Sequence, residues 1–237
     1  MDSAKTLLFF LYWAVLITGG ILIFEECFFA ASIIRALLMP VLSVYLYFSL
    51  KPTHSKVLKL YFAAAILLLW LSDIARVFII PDIRNGVEKD NPLLFFLIAT
   101  TISNLFFILG FNKIRKVVLS KAVFPSFAFS IGCGLIYFVF FQFISKDYLQ
   151  AFKTPFIIYI FSYIMLIGFA GNVLDSNTKK RLSVKYFLPA AFLAFLSALL
   201  FVFNRYKLFA PRFDLVVTLA YGYAQLLNIN GFRKTSR

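Results

Sequence analysis

An all-α integral membrane protein, a bundle of eight transmembrane helices with both termini cytoplasmic, is the architecture this sequence predicts. Three observations carry it. Of the 237 residues, 62% are hydrophobic and 14% charged, and the mean hydropathy is +0.90. A water-soluble domain of this size could not hide so much apolar surface, whereas a bilayer makes hiding it unnecessary. The apolar residues come in runs of about 17–25, the length at which a helix crosses the hydrocarbon core. Short Lys- and Arg-bearing loops separate the runs, so the net charge of +14 is read as membrane topology rather than as a nucleic-acid surface.

The whole chain, 1–237, is read as a single transmembrane domain. The first run, Leu7–Phe24, lacks a small-x-small cleavage site before Glu25 and is kept as a span. The second, Phe28–Leu50, carries Arg35 near its start, and the third, Val57–Ile80, contains Asp73 and Arg76. A polar loop from Pro81 to Pro92 follows, with Asn85-Gly86 as a turn signal. The remaining spans are Leu93–Phe111, Ala122–Ile144, Pro155–Leu174, Tyr186–Asn204 and Asp214–Phe232. Pro40, Pro125 and Pro189 fall within or near span starts, where membrane helices tolerate proline. Thirty-two phenylalanines are read as lipid-facing bulk. Lys and Arg in the two termini and the even-numbered loops outnumber those in the odd-numbered loops by about two to one, which directs both termini to the cytoplasm. The expected location is a multi-pass position in a membrane, the cytoplasmic membrane if the host is bacterial.

The polar residues inside the spans narrow the function. Asp73 is the only acidic residue well inside any span, and a mid-span carboxylate costs about 2.5–3.5 kcal/mol on insertion scales, so it needs a partner or a role. The topology puts Arg35, Asp73, Arg76, Tyr221, Asn204 and Arg205 between the midplane and the outer face, with Gln225 and Asn104 close to mid-membrane. Polar groups converging at one depth suit a pocket for an amphiphile. Each also has a structural explanation. Asp73 and Arg76, three apart on one helix face, can neutralise each other. Arg35 can snorkel to the interface, and Asn204 and Arg205 can anchor a span end. Tyr221 and Gln225 can join helices by a hydrogen bond, as can Asn104. Cys27 and Cys133 have no partner spacing and His54 is the single histidine, in a polar loop. No metal site, His-based triad or cofactor is therefore expected.

Several segments together resemble the YhhN family of membrane proteins, whose animal members are lysoplasmalogenases. Arg35-Ala-Leu-Leu-Met-Pro40 is similar to the family's Lys-Pro-Leu-Leu-Met-Pro stretch, and Ser72-Asp73 to its Gly-Asp in the third span. Ala198-Leu-Leu-Phe201 resembles its Gly-Ala-Leu-Leu-Phe run, and Tyr221 with Ala224-Gln225 its Tyr-Tyr-x-Ala-Gln. The resemblance covers essentially the whole chain. It implies hydrolysis of the vinyl-ether bond of an ether lysolipid inside the membrane, with the bilayer and a membrane lipid or lysolipid as partners and no nucleic acid. Asp73 would be catalytic, and Arg35, Tyr221, Gln225, Asn204 and Arg205 would bind substrate. The family places a second aspartate in its seventh span, where this chain reads Asn204-Arg205. A second carboxylate must then come from Glu25, Glu26, Asp82 or Asp214 on the outer side, or be absent. A relative that binds or senses lipid without turnover, and a small transporter, are the alternatives.

Overall fold

The computed structural model describes residues 2–50, 54–84, 90–116, 153–175, 179–204 and 211–235, with isolated helical positions between 128 and 135. Among the described residues every regular element is helical. In order they are α1 (Asp2–Phe24), α2 (Phe28–Ala36), α3 (Leu38–Ser49), α4 (Lys56–Arg84), α5 (Asp90–Ile114), α6 (Lys153–Asn172), α7 (Leu188–Phe203) and α8 (Pro211–Arg233). A short α-turn and a π-turn, Lys180–Leu182 and Ser183–Phe187, lead directly into α7.

Among the described residues, six segments are long and apolar enough to cross a membrane: Ser3–Phe24, Phe28–Ser49, Lys56–Ile79, Asn91–Ile114, Thr154–Asn172 and Lys180–Phe203. The expected fifth span, Ala122–Ile144, lies outside the described residues save for those isolated positions. The expected eighth is not among the six. It does form a helix, α8, whose 23 residues would reach about 34 Å. Its hydropathy is lowered by Thr218, Gln225 and Asn228, which are turned inward and buried, while Val216 and Leu219 are exposed.

Three local features depart from the sequence reading. The second span is two helices, not one. Pro40 has no N–H to offer the carbonyl of Ala36, and the chain re-enters helix at Leu38 after Leu37. The polar loop after the third span is shorter than Pro81–Pro92, because α4 stays helical through Pro81 to Arg84 and α5 begins at Asp90. The phenylalanines are not all lipid-facing. Phe62, Phe107, Phe111, Phe156, Phe187 and Phe232 are fully buried. Phe62 stacks on Phe232 with ring centroids 4.1 Å apart and fits only because Gly110 opposes it: a Cβ there would lie 2.8 Å from the ring.

Around this core, α4 packs between α5 and the α2–α3 pair, while α8 packs on α7 and α1. The outer surface carries a belt of exposed apolar side chains, among them Leu7, Phe10, Phe24 and Leu60. Such a belt around a core that is itself apolar is what lipid solvation permits. One end of the bundle is basic and knitted together. Arg115 donates to the carbonyl of Asn172, Lys179 to that of Thr235, and Lys234 to the Tyr186 hydroxyl. Arg233 donates to the Tyr45 hydroxyl at 2.7 Å, and His54 is buried against Phe232 rather than lying free in its loop.

Candidate functional site

At the other end of the bundle, α2, α4 and α8 bring two arginines and two aspartates together. Their placement follows from helix periodicity. On α8, Asp214, Thr218, Tyr221, Gln225 and Asn228 recur at alternating steps of four and three, which puts all five on one face. On α4, Asp73 and Arg76 lie one turn apart. Asp73 stands seventeen positions beyond Lys56, or about 25 Å along the helix. On α2, Arg35 is the last-turn residue before the break that Pro40 causes.

Asp73 is buried, and both its oxygens are engaged. Arg35 Nε approaches Oδ1 at 3.4 Å, and the Tyr221 hydroxyl donates to Oδ2 at 2.9 Å. Arg35 Nη1 donates to Thr218 Oγ1 at 3.0 Å, and the guanidinium stands 4.4 Å above the Tyr221 ring centroid. Three helices thus share one charge pair. Arg35 is 6% exposed and does not snorkel. Asp73 is thus approached by a donor at each carboxylate oxygen.

Arg76 does not neutralise Asp73 along the helix. It reaches across to Asp214 of α8, Nη2 to Oδ1 3.5 Å, in a pair whose aspartate side chain is 22% exposed against 4% for the arginine. The guanidinium also stands 4.6 Å over the Phe201 ring centroid. Its Nε has no hydrogen-bond partner among the described residues. Crossed pairing beats the local pair because an i, i+3 contact holds charges side by side on one surface, while packing brings an opposite charge from a neighbouring helix to each.

Two small cavities flank the arginines, each with room for the centre of about one water-sized sphere, about 10 Å³. The first lies among Arg35, Arg76, Asp214, Thr218 and Ser32. The second is bounded by the same arginines with Ser72, Thr100, Tyr159, Tyr163 and Tyr221. Ser72 and Thr100 close it with a 2.6 Å hydroxyl–hydroxyl bond between α4 and α5.

Of the residues expected from sequence, Arg35, Asp73 and Tyr221 meet. Gln225 is buried one turn of α8 away from Tyr221 and lines neither cavity. Its Oε1 has no partner among the described residues. Asn204 is buried at the end of α7, also outside both cavities, and Arg205 lies outside the described residues. Asn104 binds Ser162 Oγ at 2.9 Å, joining α5 to α6. Sequence reasoning missed Thr218 and the partnership of Asp214 with Arg76. The signal that could have found both is the polar spacing of α8, which marks Asp214 and Thr218 as lying on the face that carries Tyr221.

Searches with this chain find no matching family model, no matching curated protein and no matching solved structure. The chemistry of the Arg35–Asp73–Tyr221 and Arg76–Asp214 pairs is the remaining guide to function.

Proposed function

We propose that this chain is a divergent YhhN-type membrane protein of eight spans, with both termini cytoplasmic, and an ether-lysolipid hydrolase of the lysoplasmalogenase kind. The observation that carries this reading is the carboxylate of Asp73 held ready inside the membrane by Arg35 and Tyr221, beside a second carboxylate, Asp214, on a second arginine. Vinyl-ether hydrolysis needs two such groups. A proton is added to the enol-ether carbon, an oxocarbenium ion forms, and water attacks it. The resulting hemiacetal collapses to a fatty aldehyde and a glycerophospho-alcohol.

Asp73, held at both oxygens by Arg35 and Tyr221, suits the later role, stabilising the cation and accepting the proton of the attacking water. This refines the general acid/base role expected from sequence. Asp214, 22% exposed and 3.5 Å from Arg76, is the second carboxylate that the reaction calls for. Arg76, whose Nε has no partner among the described residues, and Arg35 suit the substrate phosphate.

The size of the two cavities favours a second reading: a lipid-binding relative without turnover, its aspartates serving only to hold three helices together. Mass spectrometry of the purified protein incubated with lysoplasmalogen, lyso-ether and lysoacyl lipids separates the two. Fatty aldehyde from a vinyl-ether lipid is the expected result. Lipid that co-purifies and is never cleaved would support the second reading and refute the first.

A further inference from the structure

A second lipid-sized feature lies on the outside of the bundle. Between α3 and α4 runs an open groove of about 800 Å³, within the size range of sites that hold whole small molecules. One wall is the stripe Pro40, Val44 and Tyr47 of α3, and the other is Lys56, Lys59 and Trp70 of α4, over a floor at Ala63. Both stripes follow helical spacing, so each is one continuous face. The small side chain of Ala63 leaves the groove open between the two faces.

Its polarity is graded along its length. Lys56 and Lys59, one turn apart, lie with the exposed Tyr47 at the basic end of the bundle. From there to Trp70 the lining is apolar except for Ser43, whose hydroxyl donates back to the Met39 carbonyl, and no acidic side chain contributes to it. Fourteen residues separate Lys56 from Trp70, about 21 Å at 1.5 Å per residue, against a leaflet core of about 15 Å. Two cations and a phenol at the headgroup level, followed by one leaflet's depth of apolar groove, are complementary to a single class of molecule.

We infer that the α3–α4 groove seats an anionic phospholipid of the bilayer, its phosphate at Lys56 and Lys59 and one acyl chain extended to Trp70. Basic pockets between membrane helices recognise anionic headgroups in this manner, at about fivefold in preference per lysine. The seat is distinct from the site at Asp73. A lipid placed this way points the far end of its chain, not its headgroup linkage, toward Asp73.

Trp70 is a built-in reporter, because the chain has only two tryptophans and Trp13→Phe leaves it alone. Protein of that background is reconstituted in vesicles, and Trp70 emission is read as brominated phosphatidylglycerol or brominated phosphatidylcholine replaces the matching unlabelled lipid. Quenching at least fivefold more sensitive to the anionic lipid is expected. Lys56→Gln/Lys59→Gln should bring the two lipids to equality. Should that double variant fail to reconstitute, raised ionic strength applied to the parent protein should narrow the preference instead. Equal quenching by both lipids in the parent, the mark of ordinary boundary lipid, would overturn the inference. So would a preference that survives both the double substitution and salt. Neither outcome bears on turnover at Asp73.

Discussion

Arg35 and Asp73 hold each other at a depth where neither charge would remain alone. Removing one partner of such a pair leaves an uncompensated buried charge, which costs about 3–5 kcal/mol, while replacing both with apolar residues often costs little. Arg35→Ala should therefore destabilise the detergent-solubilised protein by about that amount, and Arg35→Met/Asp73→Leu by clearly less, as read from thermal unfolding. Additive losses would show that the two side chains act independently. Tyr221→Phe removes the hydroxyl that donates to Asp73 and should slow aldehyde release by about 10-fold or more, with the unfolding temperature little changed. At this scale the sequence was legible for Asp73, Arg35 and Tyr221, because a charge inside an apolar run demands an explanation. It was illegible for Arg76. Its local neighbour Asp73 looked like a partner, and only the packing of α8 on the bundle shows that Asp214 takes that place.

Among the elements, helix contacts rest on small residues at named points. Gly110 of α5 admits the Phe62 ring of α4, and Tyr12 of α1 donates to the carbonyl of Gly222 on α8 at 2.7 Å. Gly110→Ala should cost about 1–3 kcal/mol by forcing Phe62 aside. Phe62→Leu, made in the Gly110→Ala background, should recover part of that loss in the same unfolding measurement, whereas two purely additive losses would rule out the clash. Within the described residues, helix existence was readable from run length. Boundaries were less so: α4 outlasts the apolar run by continuing through Pro81 to Arg84, and hydropathy does not register where a backbone stops. The break at Leu37 was signalled by Pro40, but continuous apolarity across it hid the division into two helices. Burial of six phenylalanines was beyond reach too, because composition cannot tell lipid from protein as an apolar neighbour.

For the whole molecule, charge is segregated between the two ends of the bundle. The basic end gathers the carboxyl terminus, the start of α4 and the turn before α7, and the arginine–aspartate site sits toward the opposite end. Cys27, exposed in the turn between α1 and α2, lies on that opposite side. In a Cys133→Ser background, a membrane-impermeant maleimide should label Cys27 in intact cells, and labelling only after permeabilisation would invert the proposed orientation. Composition made the membrane character plain. The function was less legible, since it depends on which helices bring their polar faces together. The central claim is that the Asp73 carboxylate is a reacting group and not merely a clasp between helices. The rate of aldehyde release from a lysoplasmalogen by Asp73→Asn, set beside the parent protein with matched folding, tests it most directly. A loss of at least about 100-fold is expected, and turnover retained within a few-fold of the parent would contradict it.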